Sequence, residues 1–462
     1  MSLEAKIQEL KKALEAGNYN AAPGALVQGA ALQKEALDKV MTVVTWQDKD
    51  IKLQKVLNVI PHKQTAYQFN RQLDYGVLGG SAVLEGQVGA QQVPRFARIL
   101  VPMAYYAHVS TYTIQASLVD TFDGVSAQER LAAAAAKKIA GDIELHLFRG
   151  QHAWSNAGEF DGNPAAMAAA NPEMHGLDAQ IRQSDDLSSA KDLMLSEYGA
   201  DISVVLNQSG ILSRSTIEDA AARSAMNNGQ LEKIYLDPLT HAAYNRTVAH
   251  NIDRIFLAGS PQQASAASLK AQYTAVGEVA IEASRFLAGK TKPAAPGLNA
   301  PNAPSIALAV GSGASSLAAG TYRFSVTAVN ANGESPESAV ASITITANQA
   351  IDVTITPAGT GPKAYWYNVY RSEAGGTKRQ FIGRVKDSGA ATTVFIDRGR
   401  RIPGFVTGFG LDMREIVIPE LAPFSSVQLA QSELAQNWAF YRFCCVAARA
   451  PRFNVLIDNL SA

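Results

Sequence analysis

The side chains that could carry out acid–base or metal chemistry are scattered along this chain. None of its histidines stands in an HExxH motif, and no set of cysteines and histidines has the spacing of a zinc site. His146 falls within a predicted helix, where a packed or solvated ring is the more common role than a metal ligand. We therefore predict no metal site. The seven histidines are His62, His108, His146, His152, His175, His241 and His250.

The glycine-rich and acidic segments also lack a recognisable catalytic pattern. Residues 79–86 and 311–320 are rich in glycine, but neither contains the GK[ST] of a phosphate-binding loop. No GxSxG nucleophile motif occurs. The neighbouring acids Asp185 and Asp186 suggest the solvated start of a helix. We predict no catalytic residue and no cofactor, which weighs against an enzyme without excluding one.

The amino-acid composition and charge limit the class of protein only broadly. The chain has 462 residues, 47% of them hydrophobic, and 41 basic residues balance 41 acidic ones. A neutral chain does not imply a strong polyanion-binding surface. We see no signal peptide and no apolar run long enough to span a membrane. Cys444 and Cys445 are adjacent, which disfavours a disulfide between them, so we expect folding in a reducing cytoplasm.

The first 125 residues predict extended parts that cannot bury themselves alone. In residues 1–60, helical spacing of Leu3, Ile7, Leu10 and Leu14 indicates an amphipathic arm that needs a partner surface. In residues 61–125, two β-rich segments flank a glycine-rich tip, which predicts a long hairpin. Connections of that length are usually functional.

A long helix is the clearest single element. Ser126 and Glu129 form a capping box, apolar residues follow at helical spacing, and Gly150 is a suitable C-terminal stop. We assign residues 126–200 to this helix and its surroundings. Alternating helix and strand patterns in residues 201–298 predict a mixed body, so the fold class is α+β.

A composition change near residue 300 marks a second kind of domain. A Pro/Ala/Gly linker precedes about seven short strands in residues 299–403, the pattern of a β-sandwich. The remaining residues, 404–462, are too few for a further domain, and we expect them to return to the body. The sandwich is then an all-β insertion at an exposed loop.

The inserted segment resembles fibronectin type III modules, an immunoglobulin-like architecture, in its "TYRFSVTAVNANGES" and "YNVYRS" runs. Its aromatic strand offers Tyr365, Tyr367 and Tyr370 as a candidate face for a sugar or protein partner. The simpler interpretation, which we favour, is that alternate residues of this strand are core.

The order of elements resembles the major capsid proteins of tailed bacteriophages with the Hong Kong 97 fold. In that family they are the N-terminal arm, the E-loop hairpin, the spine helix and the mixed axial (A-) domain. Segments 82–120, 130–150, 231–248 and 435–459 carry the resemblance.

The resemblance implies a subunit that forms hexamers and pentamers of an icosahedral head around double-stranded DNA. It implies portal, scaffold and possible decoration partners, weak nonspecific DNA contact, no membrane, assembly in the host cytoplasm and a final place in the virion. Glu85, Arg95 and Arg98 are the candidate intersubunit contacts of the hairpin.

Some members of that family cross-link their shells through an E-loop lysine. This chain has no lysine between Lys63 and Lys137, so we predict no such bond. Two alternatives stay open: another phage structural protein, such as a tail component, or a secreted enzyme or binding protein with a fibronectin-like carbohydrate-binding module. The secreted class predicts a signal peptide and clustered acids, and we find neither pattern.

Overall fold

The computed structural model describes residues 47–72, 75, 81–89, 91, 93–113, 126–150, 173–185, 203–252, 271–289, 296, 299–430 and 435–461. Strands outnumber helices in this part of the chain, and the class is α+β, as predicted. The helices are α1 (Leu53–Val56), α2 (Ala127–Arg149), α3 (Leu177–Asp185), α4 (Arg214–Met226) and α5 (Pro238–Ile252), with short 3₁₀ turns at Asp48–Asp50, Arg285–Leu287, Met413–Glu415 and Pro451–Phe453.

The strands belong to five sheets. They are β1 (Asn58–Pro61), β2 (Ala66–Gln72), β3 (Phe96–Pro102), β4 (Ala104–Thr113), β5 (Val205–Gly210), β6 (Lys233–Leu236), β7 (Ala271–Thr274), β8 (Gly277–Ala283), β9 (Ser305–Ala314), β10 (Gly320–Asn330), β11 (Gly333–Glu334), β12 (Ala341–Ile345), β13 (Gln349–Thr356), β14 (Trp366–Arg371), β15 (Gln380–Lys386), β16 (Thr393–Asp397), β17 (Val406–Leu411), β18 (Ile416–Gln428), β19 (Ala435–Cys444), β20 (Ala447–Ala448) and β21 (Val455–Leu460).

The long helix α2 has the caps that its sequence predicts. The Ser126 hydroxyl accepts from the Glu129 backbone N–H, and the Glu129 carboxylate accepts from the Ser126 N–H. Its inward stripe repeats every fourth residue, which keeps one face of the helix in the core. The stripe consists of Ala135, Ile139, Ile143 and Leu147, all buried.

Two sheets form the body. The first has the order β1-β18-β19-β4, with β20 beside β18, and it packs against α2. The second has the order β5-β21-β17-β6-β8-β7, with α4 and α5 against it. Strands from residues beyond 404 therefore complete a sheet that begins before residue 298. None of the described helices is long and apolar enough to cross a membrane.

The segment from β9 to β16 forms a two-layer sandwich between β8 and β17. One layer has the order β11-β10-β14-β15, with β12 beside β10, and the other has the order β16-β13-β9. Side chains from both layers, among them Phe324, Tyr367 and Phe395, make a hydrophobic core separate from that of the body. The immunoglobulin or fibronectin classification of this sandwich stays a prediction.

Several details differ from the sequence-based expectations. The pair β7–β8 and helix α3 were not predicted. Asp185 ends α3 instead of starting a helix, and Asp186 lies outside the described residues. Residues 1–46, which hold most of the predicted arm, also lie outside them.

Candidate functional site

The hairpin β2–β3 is fixed to the body at its base. The two strands pair from Ala66 opposite Pro102 to Gln72 opposite Phe96. Near the base, Tyr67, Val101 and Met103 pack with residues of β18 and β20 in a small buried cluster. This end of the hairpin is therefore part of the core of the body.

Two arginine contacts to the body lie at opposite ends of the strand pair, with Tyr67 near the base and Arg71 near the outer end. The Arg71 guanidinium donates to the backbone oxygen of Arg449 at 2.7 Å, and the Arg449 guanidinium donates to the Tyr67 hydroxyl at 2.9 Å. Arg71 also lies over the Phe69 ring, 5.6 Å from its centroid. These contacts set the direction in which the hairpin leaves the body.

Further out, the hairpin and its connection expose apolar side chains to solvent. Phe96 is 66% exposed, Leu84 73% and Val88 97%. Val93 and Leu100 are exposed as well. Apolar side chains clustered in water at one projection usually mark a contact surface. We call this group the hairpin surface.

The three predicted hairpin contacts lie on or beside the hairpin surface. Glu85, Arg95 and Arg98 are all exposed. The Arg98 guanidinium donates to the Asn70 side-chain oxygen at 3.3 Å across the hairpin. Their role as contacts to a neighbouring subunit stays a prediction.

A second apolar surface covers the outer face of the first body sheet. Tyr105 on β4 lies opposite Phe443 on β19, with ring centroids 5.0 Å apart. Val109 and Val427 extend the same patch, and both are about half exposed. The body thus presents an apolar sheet face as well as the apolar hairpin surface.

The segment that precedes the hairpin is held by one buried carboxylate. Glu144 on α2 accepts backbone N–H bonds from Lys52, Leu53 and Gln54 at 3.0, 2.8 and 2.9 Å. Burial raises the pKa of Glu144, while these N–H donors oppose the rise. The carboxylate satisfies the N–H groups at the start of α1, which have no partner within the helix.

A polar cluster joins the sandwich to the body beyond the end of α2. Gly150 and Gly176 touch there: a Cβ on Gly150 would lie 2.2 Å from the Met174 carbonyl oxygen. This close approach brings Glu173 next to His146, with 3.4 Å between the Glu173 carboxylate and Nε2. Only glycine allows the two segments to lie this close.

Glu173 pairs with Arg384 of the sandwich across this junction. The Arg384 guanidinium also lies over the Trp366 ring, 4.4 Å from its centroid. Burial alone would raise the pKa of Glu173, but Arg384 and His146 outweigh burial and lower it to about 2. The carboxylate therefore stays charged at neutral pH. We call this pairing the Glu173 seam.

A second ion pair secures the segment by which the chain leaves the sandwich. Arg401 donates to the Asp178 carboxylate at 3.3 Å, and Arg182 donates to the same carboxylate at 2.8 Å. Arg182 also forms a bidentate pair with Asp458 of β21 at 2.6 Å for each contact. The exit from the sandwich is thus tied to α3 and to the second body sheet.

The predicted tyrosine face is mostly inside the protein. Tyr365 is 49% exposed, whereas Tyr367 and Tyr370 are buried. The Tyr367 ring lies in the sandwich core, and the Tyr370 hydroxyl donates to Glu334 at 2.9 Å. Both faces of the central strand β14 are covered. Of the three rings, Tyr365 alone is exposed on the outer surface.

The histidine and cysteine side chains that could react chemically, His146, Cys444 and Cys445, make contacts that serve the fold. The Tyr106 hydroxyl lies 2.9 Å from Nδ1 of His146, which places this imidazole in the cluster around Glu173. Burial raises the pKa of Cys444 to about 12 and also raises that of Cys445, so neither thiol ionises near neutral pH. Within the described ranges, no group of three or more His, Cys, Asp or Glu side chains is placed to hold a metal.

Known proteins with similar sequences were found among phages. No protein-family model matches the chain. The major capsid protein of Staphylococcus phage K is 24% identical over 192 residues, which is 41% of this chain and 38% of that protein. The match thus spans well under half the length of this relative. The putative major capsid protein of Enterococcus phage phiEF24C is 24% identical over 98% of this chain and 95% of that protein.

The chain is related in sequence to phage major capsid proteins. The resemblance noted in the sequence is therefore confirmed. Hairpin, long helix, mixed sheet and returning strands also follow in the order expected of capsid proteins. Among solved structures, the capsid of a native GTA particle is similar, with a TM-score of 0.47 and 10% identity over 96% of this chain and 100% of that one. The capsid of Cyanophage P-SCSP1u gives 0.45 and 9%, with 95% of each chain covered.

No local sequence pattern predicts the contacts that fix the sandwich to the body. Glu173 and Arg384 are 211 positions apart, and no local pattern pairs residues at that separation. Glu144 is an acidic residue within the predicted long helix. The nearest signal was its place on the apolar side of α2, where a carboxylate needs donors to be buried.

Proposed function

We propose that this chain is the major capsid protein of a tailed phage and assembles into a closed shell around double-stranded DNA. The observation that carries the proposal is the near full-length similarity to the putative major capsid protein of phage phiEF24C. The role is structural: the chain supplies contact surfaces to copies of itself.

The hairpin surface supports the same proposal on physical grounds. Its apolar side chains project from a strand pair over whose outer part the described residues place no second layer. Covering a side chain of the size of Phe96 or Leu100 stabilises a contact by about 1.5–3 kcal/mol. Repeated around a ring of subunits, this term favours assembly over the free subunit.

We propose hexamers and pentamers as the units of the shell, with portal, scaffold and decoration proteins as partners. Contact with packaged DNA is weak and nonspecific, because the chain has no net charge. Assembly takes place in the host cytoplasm, and the protein ends in the virion. The inserted sandwich, within 299–403, projects from the subunit and is not needed for the body to fold.

The test is assembly of the purified chain, followed by sedimentation velocity and negative-stain electron microscopy. We expect rings or closed shells. Phe96→Asp should abolish them while the subunit stays folded, because a charge would then be buried at the contact. Val310→Asp is the matched control, since Val310 is 49% exposed on the sandwich.

The same images distinguish the alternatives. Tubes would indicate a tail component. Persistent monomers of the unaltered chain, or assembly that is as sensitive to Val310→Asp as to Phe96→Asp, would contradict the proposal. A variant with 299–403 replaced by a Gly/Ser linker should still assemble, and its complete insolubility would place the sandwich in the core of the subunit.

A further inference from the structure

A cleft of about 580 Å³ lies between the sandwich and the body. The last turns of α2, with His146 and Arg149, form one side together with β17. Strands β14 and β15 form the opposite side, with Asn368 and Phe381. A volume of this size is typical of a small-molecule site.

Most of the charged residues that line the cleft are cations, and Asp178 is the acid among them. Two carboxylates outside the lining, Glu173 and Glu337, pair with two of the cations. Glu334 and Asp458 also accept hydrogen bonds from lining residues, so five cations lie among five carboxylates. Among the described residues, Arg149 and Lys378 are the two of these cations without an ion pair. The cations are Arg149, Lys378, Arg379, Arg384 and Arg401.

Of the two cations without an ion pair, Arg149 is the less exposed. Its guanidinium donates to the backbone oxygens of Leu287 and Ala288, which carry no net charge. Within the described part of the chain it has no ion pair with a carboxylate. Burial, and then repulsion from Arg401, lower the pKa of Arg149 to about 10, although nearby carboxylates offset part of the effect. An anion in the cleft would relieve this repulsion.

Asn368 adds a hydrogen-bond acceptor to the same cleft. Its amide nitrogen donates to Glu334 at 2.6 Å, and the side chain is fully buried. The amide oxygen has no hydrogen-bond partner. A buried polar atom without a partner is costly, so a ligand with a donor group would be favoured here. The rings of Tyr370 and Phe381 line the space beside it.

We propose that the cleft binds a small phosphate monoester that carries at least one hydroxyl group. Guanidinium groups bind the oxygens of a phosphate through paired hydrogen bonds. The phosphate would lie toward Arg149 and Lys378, and a hydroxyl of the organic part would donate to the Asn368 amide oxygen. The aromatic rings would cover the rest of the ligand. The site lies between body and sandwich, apart from the hairpin surface.

Isothermal titration calorimetry on the full chain tests the proposal with three probes. Ribose 5-phosphate supplies both the phosphate and hydroxyl groups, inorganic phosphate supplies the first, and ribose supplies the second. We expect ribose 5-phosphate to bind about 3- to 10-fold more tightly than inorganic phosphate, the effect of one added hydrogen bond. Ribose should give no saturable heat. Added salt should weaken the binding of both ribose 5-phosphate and inorganic phosphate.

Variants of the lining identify the site. Arg149→Gln should weaken ribose 5-phosphate at least about 10-fold, because one charge-assisted contact is lost. Lys378→Gln at the exposed rim should weaken it about 2- to 5-fold. Asn368→Leu should reduce ribose 5-phosphate to the affinity of inorganic phosphate. Arg246→Gln, an exposed arginine outside the lining, should have no effect.

Equal binding of ribose and ribose 5-phosphate would overturn the proposal. So would absence of binding by either phosphate, or unchanged affinity in Arg149→Gln and Lys378→Gln. If Arg149→Gln does not fold, the double variant Lys378→Gln/Arg379→Gln takes its place with the same expected direction. Each variant is also scored for particle formation, so loss of phosphate binding and loss of assembly are separate results.

Discussion

Two β structures, the sandwich and the hairpin, extend from the body of this chain. They differ in whether their apolar side chains are buried or exposed. The sandwich closes two sheets over its own core, in which Phe324 is fully buried. The hairpin has a single pair of strands, and Phe96 on it is mostly exposed. The second layer of the sandwich therefore buries its apolar side chains, whereas those of the hairpin stay in contact with solvent.

The largest expected effect comes from a matched pair of substitutions. Phe324→Ala should destabilise the sandwich by about 3–5 kcal/mol, because it removes a buried ring and leaves a cavity. Phe96→Ala should change the free energy of unfolding by less than about 0.5 kcal/mol, because that ring is already in water. Chemical denaturation of unassembled subunits measures both.

The same two substitutions should affect particle assembly in the reverse order of their effects on stability. Phe96→Ala should reduce the yield of particles, whereas Phe324→Ala should allow assembly wherever the body remains folded. Comparable destabilisation of the subunit by both substitutions would remove the contrast between hairpin and sandwich.

Acid should loosen the junction between sandwich and body. The pKa of Glu173 is lowered from its ordinary value of 4.5 to about 2. Its ion pair therefore stabilises the fold fully above pH 4.5, and this stability is lost as the pH falls toward 2. The linked free energy is about 3 kcal/mol. Fluorescence of Trp366, which lies under Arg384, reports the change.

Glu173→Gln is the control for this effect. The variant should be less stable at neutral pH and should lose the part of the acid transition that falls between pH 4.5 and 2. An acid transition of Trp366 that is identical in both proteins would show that Glu173 is not the titrating group.

A smaller effect is expected where Glu144 holds the segment before the hairpin. Glu144→Gln keeps one acceptor oxygen for three backbone N–H groups, which should cost about 1–3 kcal/mol. Limited proteolysis should then cut residues 47–57 faster, with the sandwich unaffected. Because the pKa of Glu144 is raised, its contribution to stability increases as the pH falls toward that pKa. Glu278→Gln, at an exposed glutamate, should leave cleavage unchanged.

No covalent bond is expected at the hairpin. The stretch between Lys63 and Lys137 has arginines but no lysine, and a guanidinium stays protonated and is a poor nucleophile. Particles boiled in detergent should run as one band near 49.1 kDa. A ladder of covalent multimers would show that an amine from elsewhere, such as Lys63, reaches a neighbour.

The elements that could be predicted from the sequence are those encoded by residues close together in the chain. The predicted capping box of α2, formed by Ser126 and Glu129, is present in the structure. It could be predicted because a capping box involves only four consecutive residues. The pair β7–β8 was missed because its strands are short and follow a segment without a clear pattern. The hairpin β2–β3 was visible because its two arms are long and flank glycines.

Long-range burial was harder to predict. An alternating strand pattern assumes that one face meets solvent, which made Tyr367 and Tyr370 plausible surface residues. In the structure β14 is central in its sheet, with the second layer on one side, and on the other side its Asn368 and Tyr370 donate to Glu334. The Glu173 seam depends on the same docking, which no stretch of sequence encodes by itself.

The strand order of the second body sheet also determines when this subunit can fold during synthesis. Strands β21 and β17 lie between β5 and β6, yet they are made after the whole sandwich. The sandwich, whose sheets and hydrophobic core involve about 100 consecutive residues, can fold on the ribosome first. The body must wait for Leu460. A sandwich that folds first would therefore be attached to a body whose second sheet is incomplete until β21 has been made.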